Sequence, residues 1–275
     1  MAEPIWNRFA DAVRLYAQYS GVSLRAQMQY KFSFFIMSLA QLLATATEFL
    51  GIWALFGRFG SLKGWTLAEV GLFYGLIGVT FAIADALARG FDTFSELVKS
   101  GDFDRILLRP RSTALQISAR DLLLTRVGRL VQGIAVLGWA IHSLPVLWTL
   151  PKLALIAAVI AGGVALFYGI FVLQATLSFW TIETLEIMNV VTYGSTEAGQ
   201  YPLTIYRPWF RAFFTFVVPV ASINVIPANL LLDRIGMSGW PAICAWSSPI
   251  VGFIFLAASL QLWRCGVGKY TSTGS

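Results

Sequence analysis

Four glutamates stand inside or beside apolar stretches of this sequence: Glu48, Glu183, Glu186 and Glu197. A carboxylate in a membrane-spanning segment is costly and faces protein or a water-filled path. Glu183 and Glu186 are three residues apart and Asn189 follows at the same spacing, so the three share one helix face. One reading is a polar stripe lining a substrate path, with a preference for cations. The other puts Glu183 and Glu186 at the cytoplasmic headgroup level, paired with nearby bases. The isolated Glu48 also fits a packed, hydrogen-bonded residue.

A second candidate lies in the longest polar stretch, about residues 91–129. Gly101 breaks the preceding helix, and Asp102 can cap a new one because its carboxylate accepts from first-turn amides. Phe103 to Leu108, with Asp104 and Arg105 inside it, makes about two turns. Arg109 precedes Pro110, and a residue before proline is pushed out of helix. A short helix closed at both ends is either a rigid knob for a soluble motor to push or a solvated surface turn. At the end of the preceding apolar run, Asp85 and Arg89 are four apart and can pair.

Other reactive groups are sparse. Cys244 and Cys265 flank one apolar run; if helical, it separates them by roughly 30 Å, whereas a disulfide needs Cα atoms within about 7 Å. Two free thiols and the single His142 give no metal site, and no cofactor is expected. Gly266-Val-Gly-Lys-Tyr-Thr271 resembles a phosphate loop only loosely: Trp263 stands where the first glycine belongs, and Tyr270 where Ser or Thr does. If ATP drives this protein, another chain binds it. A lipid-processing membrane enzyme would need clustered acids or histidines, which are missing. A channel or scaffold without an ATPase partner is the remaining alternative.

The elements that hold these residues follow from composition. Of 275 residues, 57% are hydrophobic and 12% charged, and mean hydropathy is +0.70. Soluble domains carry about 25% charge, so lipid is the simpler solvent. The net charge of +6 suits loops that attract anionic headgroups, and no basic tract implies nucleic acid. Ten Trp suit interfacial belts.

Residues 1–31 read as an amphipathic helix, either in the headgroup plane or packed on the bundle; their charges exclude a secretory signal. Spans are expected at about 32–56, 70–87, 130–147 and 153–180, and a last one at 241–263. Between the last two, either 181–201 spans, or 209–232 does despite Pro219 and Pro227. With N- and C-termini inside, six spans put fourteen of the twenty basic residues on the inner side, as the positive-inside rule asks. Making 209–232 the fifth span moves two more inside. Gly71 with Gly75, and the pair Gly162 and Gly163, permit close helix approach.

Several segments, in order, resemble the ATP-binding-cassette type-two permeases, in the bacterial branch of paired six-helix export subunits. Gly101-Asp-Phe-Asp-Arg-Ile-Leu-Leu-Arg-Pro110 is similar to that branch's cytoplasmic loop, and Ala175-Thr-Leu-Ser-Phe-Trp-Thr181 to the end of its fourth helix. Tyr201-Pro-Leu-Thr-Ile-Tyr, Trp209-Phe-Arg, Phe213-Phe-Thr-Phe-Val-Val-Pro219, Ile223-Asn and Pro227-Ala228 resemble its proline-punctuated hairpin. Tyr270-Thr-Ser-Thr-Gly-Ser275 is similar to its tail. The resemblance implies an all-α integral membrane protein with six transmembrane helices, an N-terminal interfacial helix and a re-entrant hairpin, 202–232, before the last helix. It makes 182–201 the fifth span. It implies that Asp102 to Leu108 is the coupling helix seated on an ATPase subunit, that a second permease, identical or related, completes the unit, and that the site is the bacterial inner membrane.

Overall fold

The computed structural model describes residues 5–121, 126–181, 185–234 and 241–271. Every named element among them is helical. In chain order they are α1 (Ile5–Met28), α2 (Lys31–Phe59), α3 (Leu67–Asp92), α4 (Phe94–Lys99), α5 (Asp102–Leu107), α6 (Thr113–Arg120), α7 (Val127–Ser143), α8 (Leu150–Leu177) and α9 (Leu185–Gly199). The chain continues through the short α10 (Pro208–Ala212) and α11 (Val225–Leu231) to α12 (Ala242–Lys269).

Among the described residues, four stretches are long and apolar enough to cross a bilayer: α2, α8, α12 and Leu67–Lys99, which joins α3 to α4. The chain is an all-α membrane protein. Among the described residues the expected count of six is not reached on length: α7 has 17 residues, and the described part of α9, which begins right after 182–184, has 15. At 1.5 Å per residue they are about 25 and 22 Å long, against a hydrocarbon core of about 30 Å. α7 stops short of the expected Leu147 because Leu144 precedes Pro145 and is extended, with ψ of 131°. A fifth span by length and composition results only if Pro208–Val217 and Val220–Leu231, bent by 78°, are joined.

α3 is the hub. Most of its residues are buried and none is exposed, and it packs along α7 and α8, with α12 on the far side of α8. Its start is fixed by a capping box: Thr66 Oγ1 accepts from the Glu69 amide, and the Glu69 carboxylate accepts from the Thr66 amide at 2.8 Å. In lipid, apolar burial does not drive helices together, so small residues at crossings matter. Gly162 of α8 faces Pro249 and Gly252 of α12 so closely that a Cβ on either glycine would collide with backbone. Pro249 lacks the amide that would serve the Ala245 carbonyl, and the Ser248 hydroxyl donates to that oxygen instead, at 2.9 Å.

α2 uses one narrow seam, Ser38, Leu42, Thr45, Phe49, Ile52 and Phe56. This spacing of four and three is a coiled-coil stripe. Its other faces expose Phe32, Phe35, Leu43, Trp53 and Phe59.

The two ends of the bundle differ. At one end lie α4 to α6 and the last turns of α3, α8 and α12. α1 joins them, with Arg109 donating to the Tyr19 hydroxyl at 3.2 Å and Arg111 4.0 Å from Asp11. At the other end lie the α2–α3 loop, the start of α8 and residues 201–234. Both ends of that last stretch meet the segment leading into α3, Trp65 touching both. Trp65 Nε1 donates to Thr204 Oγ1 at 3.2 Å and Lys63 to the Ile205 carbonyl at 3.0 Å. Further on, Arg234 pairs with Glu69 at 2.6 Å and Asp233 with Lys152 at 2.8 Å.

Candidate functional site

The segment from Gly101 to Pro110 forms a peg with a dry root. Gly101 supplies a left-handed residue, φ 72°, between α4 and α5, a conformation glycine takes without steric cost. Asp102 does not cap α5 as expected. It is the first helical residue, and its carboxylate accepts from Ser100 Oγ at 3.0 Å and lies 3.5 Å from Arg105. The turn at Gly101 occupies the capping position, which leaves Asp102 one residue too late to cap.

Phe103 is fully buried. Its ring centroid lies 5.0 Å from Phe94, 5.0 Å from Tyr270, 5.6 Å from Phe179 and 6.3 Å from Trp263. Phe91 and Tyr168 extend the cluster, and Trp263 Nε1 donates to Thr113 Oγ1 of α6 at 3.1 Å. Edge-to-face pairs of this kind add about 0.5–1.5 kcal/mol each beyond their area. The peg is therefore rooted in α3, α4, α8 and α12 together. Its outer side is open: Arg105 is 82% and Leu108 86% exposed, and Arg109 and Pro110 are exposed beside them.

The second group of expected site residues is partly brought together. Glu183 and the side chain of Glu186 lie outside the described residues. Asn189 and Glu197 are exposed on α9, and Glu48 is exposed on α2. Glu48 and Glu197 are close enough for their charges to act on each other, with Arg129 of α7 acting on Glu197 from the same side. Arg129 also lies 5.0 Å over the ring of Phe81. Glu48, Arg129 and Glu197 thus lie near one another, on α2, α7 and α9. Glu48 accepts from the Tyr74 hydroxyl at 3.3 Å, and Tyr74 in turn accepts from Gln132 at 3.2 Å.

Two further polar groups of contacts lie among these helices. The expected Asp85–Arg89 pair does not form. Asp85, 1% exposed, pairs with Arg126 of the residue run leading into α7, at 2.6 Å, while Arg89 turns to Asp92. A neighbouring helix offers Asp85 a closer cation, and Asp92 is the nearer acid for Arg89. Arg126 also donates to Gln41 of α2 at 2.9 Å. In the second group, Asp92 meets Gln174 of α8 at 3.1 Å, and Gln174 meets Asn189 and Thr192 of α9 at 3.4 and 3.2 Å.

Three features were missed in the sequence. The Thr66-x-x-Glu69 box carried its signal in its spacing. The aromatic root carried only the clustering of rings at the ends of apolar runs. The Asp85–Arg126 pair carried none. Cys244 and Cys265 are free thiols, and Gly266 to Lys269 is the last turn of α12 rather than a loop.

The sequence model of the family described as "ABC-2 family transporter protein" matches residues 42–274. No curated protein and no solved structure matches the chain.

Proposed function

Because this chain belongs to the ABC-2 transporter family, we propose that it is the membrane-spanning permease of an ATP-binding-cassette exporter, moving a small molecule on ATP hydrolysed by a separate subunit. The observation that carries this reading is the peg, buried at Phe103 and open at Arg105 and Leu108. A docked ATPase meets the open side, and its motion passes through the aromatic root into α3, α8 and α12. Gly101, Asp102, Asp104, Arg109 and Pro110 set the peg's position.

The peg faces the cytoplasm of a bacterial inner membrane, with both termini on that side. α9 is the fifth span, and 202–232 re-enters the outer leaflet. The shared contact with Trp65 at both ends of that stretch supports a return to the side it came from. Two permeases, identical or related, meet across a path lined by Glu48, Asn189 and Glu197, with Glu183 and Glu186 at its inner end. The permease has no ATP site of its own and takes no cofactor.

The test is reconstitution with an ATP-binding-cassette ATPase that co-purifies with it. Arg105→Glu and Asp104→Asn should leave the complex assembled and hydrolysing ATP while export falls on the order of tenfold, the usual size of a coupling free energy of 1–3 kcal/mol. Undiminished export in both variants would overturn the assignment.

A further inference from the structure

At the end of the bundle opposite α5, the α2–α3 loop and the 203–234 stretch enclose a cavity of about 760 Å³. Drug-sized ligands occupy cavities of roughly 300–1,000 Å³. Its cationic lining residues are Lys63, Arg211 and Arg234, and no acid lines it among the described residues. Trp65, Phe216 and Ile226 are its large apolar lining residues.

The three cations are held differently. Arg234 is positioned by Glu69 at 2.6 Å and stacks 4.6 Å over Trp65, so its charge is partly met. Lys63 spends one of three ammonium protons on the Ile205 carbonyl. Arg211 is exposed, with no charged partner among the described residues. It sits just before the widened π turn Phe213–Val217, where Thr215 Oγ1 donates back to its carbonyl at 2.7 Å. Such turns recur at functional sites. The nearby acid Asp233 is engaged by Lys152, and among the described residues Glu69 is the acid paired with one of the three cations, Arg234. Of the lining residues, Phe216 is 78% exposed, which suits contact with an acyl chain.

We infer that this cavity binds a phosphate-type anion carried on an amphiphile, the anion held by Lys63, Arg211 and Arg234 and the apolar part laid on Trp65, Phe216 and Ile226. A guanidinium fork matches phosphate oxygens two at a time. The inference stands on the cavity alone and does not require the transport reading.

Native mass spectrometry of the full chain in mild detergent tests it, by titration with dioleoylphosphatidylglycerol and with dioleoylphosphatidylcholine. One phosphatidylglycerol per chain should bind about tenfold more tightly than the zwitterionic lipid. Arg211→Glu and Lys63→Gln should each weaken it on the order of tenfold, the loss of one charge-assisted contact. Arg211→Lys should retain most of it, and Arg264→Glu, at the α5 end, should leave it unchanged. Equal affinity for the two lipids, or equal losses in Arg211→Glu and Arg264→Glu, would overturn the site. Displacement by millimolar inorganic phosphate would make a free anion the ligand and overturn the amphiphile; persistence of binding supports it.

Discussion

Replacing Phe103 by alanine separates the root of the peg from its open side. The ring is 0% exposed and touches four aromatic partners contributed by α4, α12 and the segments after α8 and α12. Truncating a buried phenylalanine costs about 3–5 kcal/mol, part lost contact and part cavity. At 2–4 °C per kcal/mol for a chain of this size, the melting temperature in detergent should fall on the order of 10 °C. Phe103→Leu keeps most of the volume and should cost under about 1.5 kcal/mol. Leu108→Ala is the control, because an 86% exposed side chain contributes within about 0.5 kcal/mol to the free protein. If Leu108 is buried by the ATPase, its loss should instead weaken that complex by roughly 1.5–3 kcal/mol. Differential scanning fluorimetry of the permease and co-purification with the ATPase read the two effects separately. Identical melting temperatures for Phe103→Ala and Leu108→Ala would refute the division into root and contact face.

Asp85→Asn should destabilise by about 3–5 kcal/mol, because it strands Arg126 in a buried setting. The double variant Asp85→Asn, Arg126→Gln should recover part of that loss in thermal melts. Gly162→Ala should cost about 1–3 kcal/mol by overpacking the α8–α12 crossing, whereas Gly138→Ala, with open space around it, should be neutral or slightly stabilising. Glu48→Gln with Glu197→Gln should reduce export of cationic relative to neutral substrates in proteoliposomes, and an unchanged ratio would remove both from the path.

The apolar runs of α2, α3, α8 and α12 were legible because mean hydropathy and length suffice for a span. α9 was harder. Thr192, Ser195 and Thr196 lower its apolarity, yet all three are buried, their hydroxyls donating to carbonyls four residues back. That local bonding hides polar groups in a way a hydropathy sum does not register. The boundaries of the peg were legible from Gly101 and Pro110. Its anchorage was not, because Phe94, Phe103, Phe179, Trp263 and Tyr270 are joined only by the fold. Asp85 illustrates the same limit: spacing offered Arg89 as a partner, and an interhelical contact supplied Arg126.

The crossing of α8 and α12 acts as a fulcrum. Backbone meets backbone where Gly162 faces Pro249, so neither helix has a side chain there that can rearrange. Pro249 divides α12 into unequal arms: about 20 Å of helix runs to Trp263 and about 10 Å to Ala242. Rigid rocking about that point moves the Trp263 end twice as far as the Ala242 end. Were the bundle to rock there in transport, a stroke at the aromatic rings would be geared down to a shorter one at the opposite rim.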